Sequence, residues 1–269
     1  MTELYPLKSA VRTRVQYILF LMSFGCHLVK YKRTIVRLLS PLNRGEYMRL
    51  YAIADIHGVF DRMATIRNNL ETYRPNVLIA AGDITNFTRT LPFISELGKL
   101  SLPVLAVRGN TDLKRVEFQF GLKENIFFLN NRDVTLQGIH FAGFSGTIPV
   151  PFRSRIAFSE TVILKRLMPL MTPRTILVAH PPPWGYQDRV AGKYHAGCKS
   201  LERFITACQP ALMICGHIHE DVGIASLGKT LIVNCAMGSS CEGAIIDIQD
   251  GRITAEILKA NGRSNIKSC

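Results

Sequence analysis

The stretch Leu50-Tyr51-Ala52-Ile53-Ala54-Asp55-Ile56-His57-Gly58 decides how this chain is expected to fold. Its apolar first half is typical of a buried strand of an α/β sheet, and the glycine marks the turn that follows. Open α/β sheets bind ligands just beyond the carboxyl ends of their strands, which is where Asp55 and His57 stand. Because alternate residues of an extended segment point to the same side, the carboxylate and the imidazole are predicted to lie together. They would form half of a metal-binding shell.

The composition is that of a globular protein with a large core. The chain has 269 residues, of which 47% are hydrophobic and 20% charged, and this excludes a disordered chain. A net charge of +13 points towards polyanionic partners, namely nucleic acid, an anionic membrane surface or phosphorylated substrates, although a merely basic soluble protein is the alternative. Seven cysteines without a CxxC pair indicate buried thiols in a reducing cytoplasm rather than a disulfide framework.

Residues 1–47 are interpreted as a basic, partly apolar helical extension that precedes a domain of residues 48–269. They contain eight Lys and Arg against two Asp and Glu. The apolar run at residues 17–29 is too short to span a bilayer, which needs roughly 20 apolar residues. We expect helices that pack on the domain or lie on an anionic membrane face, so that a cytoplasmic protein touches the inner membrane face peripherally. Alternatively, translation starts at Met48.

From Met48 the chain alternates between predicted strands and helices, which favours a parallel sheet with right-handed crossovers. The expected strands of this first part are 50–54, 77–81 and 102–107, and the expected helices are 59–73 and 90–100. Short strands at 126–129, 134–136 and 139–144 are predicted to form a second sheet. Later helices are expected at 159–170 and 199–208, and later strands at 175–179, 211–215, 222–225, 230–234, 243–248 and 252–258. The prediction is one α/β domain with two sheets.

Five of these strands deliver carboxylate, imidazole or carboxamide groups to their ends. The seven candidate metal ligands are Asp55, His57, Asp83, Asn110, His180, His217 and His219. Taken singly, an aspartate here could cap a helix and an asparagine could be a turn residue. Together they form a mixed nitrogen and oxygen shell without thiolates, which suits Mn, Fe, Zn or Co rather than Ca or a structural zinc site. Seven ligands are too many for one ion and fit two ions that share a bridge.

The motifs Asp55-Ile-His57, Gly82-Asp83, Gly109-Asn110-Thr-Asp112, His180 and Gly216-His217-Ile-His219 resemble the calcineurin-like metallophosphoesterase superfamily over residues 48 to about 220. The resemblance implies a four-layer sandwich of two mixed β-sheets flanked by helices. It also implies a cofactor of two divalent metal ions, with Mn favoured. By the same resemblance, Asp55, His57 and His219 bind the first metal. Asp83 bridges the two ions, and Asn110, His180 and His217 complete the second.

The implied activity is hydrolysis of phosphomonoesters or phosphodiesters, of a small molecule or a nucleotide, through a metal-bridging hydroxide. Asp83 and Asn110 are then catalytic, and Asp112 orients neighbouring groups. Two alternatives stay open: a catalytically weak protein of this fold that serves as an interaction scaffold, and a DNA-processing nuclease. The basic charge allows nucleic acid as a partner, but the absence of a predicted coiled coil or capping domain does not favour it. A membrane-phospholipid substrate would require residues 1–47.

Thr111 departs from the family pattern, which often has a histidine at this position to steady the phosphate and protonate the leaving group. A threonine hydroxyl is too weak an acid for that step at neutral pH. Downstream, the segment 181–198 resembles the His-x-Pro-Pro…Asp…Gly-x-His-x-Gly pattern of a subgroup of small prokaryotic and brain-type metallophosphoesterases. One hypothesis is that His195 is catalytic, contacting phosphate or supplying the acid, with Asp188 orienting it; the alternative is a surface lid. Arg108 is expected to contact a substrate anion or to form a salt bridge.

Overall fold

Two mixed β-sheets form the centre of the structure, a computed structural model that describes residues 47–86, 90–146, 157–238, 240–260 and 265–268. The strands are β1 (Tyr47–Ile53), β2 (Val77–Ala81), β3 (Val104–Val107), β4 (Ile126–Phe128), β5 (Arg132–Leu136), β6 (Ile139–Gly143), β7 (Ile176–Val178), β8 (Arg189–Val190), β9 (Tyr194–His195), β10 (Leu212–Cys215), β11 (Gly223–Leu227), β12 (Thr230–Asn234), β13 (Cys241–Gln249), β14 (Arg252–Lys259) and β15 (Asn265–Ser268). The helices are α1 (Phe60–Tyr73), α2 (Thr90–Gly98), α3 (Arg115–Gly121), α4 (Ala157–Leu167) and α5 (Lys199–Cys208), with a 3-10 turn at Met168–Leu170. Residues 1–46 of the expected extension 1–47 lie outside the described residues, so its interpretation stays a prediction.

The first sheet has seven strands in the order β15-β14-β13-β1-β2-β3-β4. β1 to β4 are parallel, whereas β13 runs antiparallel to β1. The second sheet has six strands in the order β11-β12-β10-β7-β6-β5, of which the inner four are parallel. Because the parallel strands of each sheet end at one edge, the residues that follow them are brought together.

The layers follow from the alternation of buried side chains along the strands. Helices α1, α2 and α3 cover one face of the first sheet, where Tyr51 and Ile53 of β1 join a cluster with Ile66 of α1 and Phe93 of α2. Helices α4 and α5 cover the second sheet in a separate cluster. Between the sheets, a Cβ added at Gly143 would lie 3.1 Å from the side chain of Val107. The order helix, sheet, sheet, helix confirms the predicted four-layer sandwich.

Most predicted elements agree with the structure to within a few residues, but the prediction for residues 126–129 was wrong. β4 pairs with β3 in the first sheet, with Ile126 opposite Val104, rather than joining β5 and β6 in the second. The reason is α3, which was not predicted and which provides the crossover that carries β4 back parallel to β3. β8, β9 and β15 were not predicted either.

Within the described part of the chain, no helix is both long and apolar enough to cross a membrane.

Candidate metal centre

The carboxyl ends of strands from both sheets meet at one place. Asp55 and Asp83 follow β1 and β2 of the first sheet, and His180 and His217 follow β7 and β10 of the second. The backbone N–H of His217 donates to Oδ2 of Asp55 at 2.7 Å, and Nδ1 of His180 donates to the Ala81 carbonyl at 2.9 Å. These hydrogen bonds fasten the two sheets together where the candidate ligands lie.

The turns that carry the ligands have left-handed backbone conformations. Asp55, His57, Asp83 and His217 have φ angles of 57°, 52°, 49° and 72°, which non-glycine residues adopt rarely. Hydrogen bonds between the turns hold them: His57 N–H donates to the Asp83 carbonyl at 2.8 Å, and Asp55 N–H donates to the Gly82 carbonyl at 3.0 Å. The resulting geometry turns each side chain away from its strand and into the cluster.

Asp55 has a fully buried carboxylate with one oxygen left for a ligand. Its Oδ2 accepts the His217 amide, whereas its Oδ1 has no hydrogen-bond partner among the described residues. Around Oδ1 stand three imidazole Nε2 atoms, of His219 at 3.1 Å and of His57 and His180 at 3.9 Å each. A buried anionic oxygen without a hydrogen bond is costly, and a cation between it and the imidazoles would satisfy it. The residues present therefore fit a divalent metal ion.

Asp83 presents its carboxylate in the same way. Oδ1 accepts the backbone N–H of Thr111 at 2.7 Å, and Oδ2 lies 3.5 Å from Nε2 of His180 and 3.9 Å from Nε2 of His57. Gly109 leaves the space for this, since a Cβ there would lie 2.2 Å from Oδ1 of Asp83. Each aspartate thus has one oxygen bound to the backbone and one oxygen facing histidines.

His180 is held in the tautomer that a metal ligand needs. A carbonyl oxygen can only accept, so the hydrogen bond to Ala81 places the proton on Nδ1. Nε2 is left for the cluster, 3.0 Å from Oδ1 of Asn110. This arrangement, with the outer ring nitrogen on a backbone carbonyl, is the usual support of a metal-binding histidine.

The electrostatics of the cluster favour a positive charge at its centre. Burial would lower the pKa of His180, but the attraction of Asp83 and Asp55 outweighs it and raises that pKa to about 9. Burial would likewise raise the pKa of Asp83, but the attraction of His180 lowers it to about 2. Burial and the nearby His180 lower the pKa of His217 to about 4. A metal ion would displace the proton of His180 and find His217 already neutral.

The structure places all seven candidates around this centre. One set of ligand atoms within 4.8 Å of one another comes from Asp55, His57 and His219, and a second set comes from Asp55, Asp83 and His180. The His217 ring lies against that of His180, with 5.0 Å between centroids. The two sets share Asp55, whereas the sequence resemblance assigned the shared position to Asp83. The role of each residue as a ligand stays a prediction.

Three residues around Asn110 have structural contacts. The hydroxyl of Thr111 donates to the Thr85 carbonyl at 3.0 Å and lies 3.4 Å from Nδ1 of His57. Buried Asp112 accepts from the backbone N–H groups of Thr85 and Gly109, at 2.7 and 3.0 Å, in keeping with an orienting role. Arg108 forms a 3.1 Å salt bridge with Glu117, which is the second of the two expectations for it.

His195 lies outside the cluster of candidate ligands. It belongs to β9, its Nδ1 is 2.6 Å from Oδ1 of Asp188, and its ring packs beside Trp184 with 5.4 Å between centroids. Among the described residues, no contact joins it directly to a candidate ligand. The orienting contact of Asp188 is present, and a catalytic role for His195 stays a prediction.

The sequence analysis did not predict two residues that hold the turns around the site. Arg62 donates from Nη1 to the carbonyls of Asp55 and Ile56 and so holds the left-handed turn after β1. Buried Asn234 donates from Nδ2 to the carbonyls of Gln187, Ile218 and Asp221. Asn234 ends an apolar strand, which is the same signal that marked the candidate ligands. Arg62 is one of several charged residues on α1, and no sequence signal distinguishes it.

A four-layer sandwich with aspartate and histidine side chains gathered where its two sheets meet defines a metal-dependent hydrolase. The family model described as calcineurin-like phosphoesterase matches residues 48–221, and the chain belongs to this family. A protein of Methanocaldococcus jannaschii described as uncharacterized is 30% identical over 200 residues, which cover 70% of this chain and 88% of that protein. Human metallophosphoesterase domain-containing protein 1 is 24% identical over 232 residues, 71% of this chain and 66% of the human protein.

Solved structures agree on the fold. The structure of TT1561 from Thermus thermophilus superposes with a TM-score of 0.59 at 14% identity, and covers 83% of this chain and 99% of its own. Another solved structure has a TM-score of 0.63 at 18% identity, with the same coverage of both chains. The protein is therefore a metal-dependent phosphoric ester hydrolase, with divalent metal ions as cofactor and phosphate esters as substrates.

Proposed function

We propose that this phosphoesterase holds two divalent metal ions, with Mn favoured, and hydrolyses phosphomonoesters or phosphodiesters of small molecules or nucleotides. Asp55, His57 and His219 would hold one ion, and Asn110, His180 and His217 the other, with Asp83 between them. One observation carries the proposal: Oδ2 of Asp83 faces a histidine of each group, His57 at 3.9 Å and His180 at 3.5 Å, while Oδ1 is fixed by the backbone.

The charge balance supports a phosphate ester as the substrate. The cluster contains two carboxylates, Asp55 and Asp83, and four histidines that would bind as neutral ligands. Two divalent cations beside two carboxylates leave the loaded site with a net charge of about +2. Such a site attracts the anionic phosphoryl group and stabilises the charge that builds up on its oxygens during hydrolysis.

The bound ions, the two aspartates and Asn110 would have different roles in hydrolysis. Bound divalent cations would supply Lewis-acid polarisation of the phosphoryl group and activation of a water molecule. Asp55 and Asp83, each fixed by one backbone amide, would keep the site in shape. Oδ1 of Asn110 lies 3.0 Å from Nε2 of His180, and both atoms would hold the same ion, so the amide Nδ2 of Asn110 is left to donate to a phosphoryl oxygen.

The direct test is the substitution Asp83→Asn. We expect the wild-type protein to bind about two Mn equivalents and to cleave bis-p-nitrophenyl phosphate, and the variant to lose one equivalent and at least about 100-fold of the turnover. Asparagine tolerates the left-handed conformation at this position, so the variant should still fold. Metal content by mass spectrometry and steady-state kinetics report the two effects.

The matched control is Asp133→Asn, because Asp133 also pairs with a histidine, His140, but lies on β5. This control should keep wild-type metal content and turnover. A wild-type protein that saturates with one ion would contradict the dinuclear site, and an Asp83→Asn variant with two ions and full turnover would contradict the bridge. Mn-activated turnover on phosphomonoesters, linear diesters and cyclic nucleotides would then define the substrate class.

A further inference from the structure

We propose that the Asp188–His195 pair is the proton donor for the leaving oxygen of the substrate, with Nε2 of His195 as the catalytic group and Asp188 as its positioning residue. The inference rests on the proposed function. It assigns a catalytic group to the segment between His180 and α5, which contributes none of the candidate metal ligands.

The geometry of the pair is that of an oriented acid. Nδ1 of His195 and Oδ1 of Asp188 are 2.6 Å apart, a short and charge-assisted hydrogen bond. The Asp188 side chain is fully buried, and its other oxygen accepts the backbone N–H groups of Gly185 and Gly197 at 3.0 and 2.9 Å. With Nδ1 fixed, Nε2 points away from the carboxylate, and 34% of the His195 side chain is exposed. A buried aspartate on Nδ1 holds an imidazole in one orientation and leaves Nε2 for the substrate.

Tight local packing shows that the segment is built around this pair. A Cβ at Gly197 would lie 2.8 Å from Oδ2 of Asp188 and 2.6 Å from the Pro183 carbonyl. Trp184 lies beside the His195 ring, and Nζ of Lys199 lies 4.3 Å from the centroid of the Trp184 ring. Pro182 accepts the backbone N–H of Cys198 at 2.9 Å, which closes the segment into a loop. A buried carboxylate held by three donors is more than a surface lid requires.

The pair is tied to the turn that carries two candidate metal ligands. One amide group, Nδ2 of Asn234, donates to the carbonyl of Gln187, next to Asp188, and to the carbonyl of Ile218, between His217 and His219. The backbone N–H of Arg189 donates to Oδ2 of Asp221 at 2.9 Å, at the other end of the same turn. The segment also begins directly after His180. These hydrogen bonds hold the segment that contains the pair against the turn that carries His217 and His219.

The centre itself has no group left to donate the proton among its described residues. His57, His180, His217 and His219 all face the carboxylates or one another as candidate ligands. The Thr111 hydroxyl gives its hydrogen to the Thr85 carbonyl. Of the two described histidines outside the centre, His140 contacts Thr175, which precedes β7, and so lies at the opposite end of that strand from His180. His195 is the histidine that remains.

The proposed step replaces the leaving oxygen on phosphorus with a water oxygen. A water oxygen forms a bond to phosphorus while the bond between phosphorus and the leaving oxygen breaks, and the leaving oxygen keeps the electron pair. The proton on Nε2 of His195 moves to that oxygen and releases it as an alcohol. The attacking water gives one proton to solvent, and His195 takes up one proton from solvent before the next turnover.

The test uses the full chain loaded with Mn and a series of aryl and alkyl phosphate esters. Proton donation matters most for poor leaving groups, so His195→Ala should lose about 100-fold or more in turnover on alkyl esters. The same variant should stay within about threefold of wild type on p-nitrophenyl esters, whose leaving group needs no proton. Asp188→Asn should change the dependence on the leaving group in the same direction and less strongly.

His140→Ala is the matched control, since His140 is also paired with an aspartate, at 3.2 Å, and should show the wild-type profile. A second readout does not depend on turnover. Inorganic phosphate titrated into the Zn-loaded protein should shift the NMR ring resonances of His195 and leave those of His140 in place.

Loss of turnover by the same factor on all leaving groups, or no loss on alkyl esters, would overturn the proposal. So would a His195 resonance that phosphate does not move. Failure of the proposed function would look different, because the wild-type protein would then hydrolyse none of the esters.

Discussion

At the scale of single residues, Thr111 contacts a candidate metal ligand through its side-chain hydroxyl. From the sequence it stands where a relative would have an acid, yet in the structure its hydroxyl lies between the Thr85 carbonyl and the ring of His57. Because the hydroxyl hydrogen goes to the carbonyl, a lone pair of Oγ1 faces Nδ1 of His57. Thr111 therefore supports the tautomer of His57 in which Nε2 is free to bind a metal ion.

We expect Thr111→Val to weaken metal binding. Valine has the shape of threonine but offers no acceptor to Nδ1 of His57, and loss of such a supporting contact typically lowers metal affinity about 10-fold or more. Titration of Mn by calorimetry measures the effect. Thr111→Ser is the control, since it keeps the hydroxyl and should keep wild-type affinity. Equal affinities for the valine and serine variants would show that the hydroxyl does not support His57.

At the scale of elements, the turns after β2, β3 and β10 each contain a glycine at which an added Cβ would meet a neighbouring atom at less than 3 Å. Gly216 shows this between β10 and His217. A Cβ there would lie 2.3 Å from Cβ of Ala54 and 2.5 Å from Oδ2 of Asp55, so glycine is needed for the two sheets to approach. The turn places the backbone of one sheet directly against a ligand of the other.

Gly216→Ala should therefore affect both stability and the site. The added methyl group must push Asp55 or β1 aside, and we expect a loss of about 1–3 kcal/mol in the free energy of unfolding and a clear loss of Mn affinity. Gly121→Ala, at the end of α3, is the control, because a Cβ there meets nothing within 4 Å. Denaturant unfolding and Mn titration of both variants are the measurements. Wild-type Mn affinity in Gly216→Ala would refute this account of the turn.

The sequence predicts well those elements that are governed by local pattern. β2 is a continuous apolar run, and β12 has three apolar residues between Thr230 and Asn234; both are buried along their whole length, and their predicted and observed bounds agree. α3 was missed because its seven residues are too few to show a helical period, and without it β4 was assigned to the wrong sheet. Sheet membership depends on contacts that are distant in sequence.

The site could be predicted in its residues more than in its geometry. Strand ends and glycines pointed to Asp55, Asp83, His180 and His217 because one topology brings such ends to one edge. The sequence could not show that Asp55 lies within 4.8 Å of candidate ligand atoms in both groups, since this depends on how the turns are oriented. Asn234 does end an apolar strand, but the sequence could not reveal its partners, which are the Gln187 carbonyl of one loop and the Ile218 and Asp221 carbonyls of another.

At the scale of the whole molecule, the candidate ligands also hold the two sheets together, so metal binding is expected to affect the stability of the protein. The attraction between His180 and Asp83 crosses from one sheet to the other, and so does that between His219 and Asp55. Without metal, the carboxylates raise the pKa values of His180 and His219, so that protons on these two histidines provide the positive charge. With metal, the ions would provide it, and metal and protons compete for the same place.

The stability of the protein should therefore depend on pH in opposite ways with and without metal. The pKa of His180 is raised from 6.5 to about 9, so its contribution is complete below pH 6.5 and is lost as the pH rises towards 9. In EDTA, the free energy of unfolding should fall across this window by up to about 3 kcal/mol. With Mn in excess it should rise, because each imidazole binds metal more readily as its proton leaves.

Urea unfolding at pH 6.5 and pH 9, in EDTA and in Mn, measures these slopes. Asp83→Asn is the useful comparison, since without that carboxylate the slope in EDTA should become shallower. A metal-free protein equally stable at both pH values would contradict the charge arrangement inferred for the site.

The pairing of β1 with β13 means that the first sheet cannot be completed until β13 has been synthesised. Met48 of β1 lies opposite Ile248 of β13. One edge of β1 therefore stays uncovered until about 200 further residues have been synthesised. Every candidate ligand has been translated by His219, well before β13. A nascent chain at that stage exposes one apolar strand edge in the middle of its future sheet, and such edges pair readily with other chains. We therefore expect the emergence of β13 from the ribosome, rather than that of the last candidate ligand, to protect this edge from aggregation.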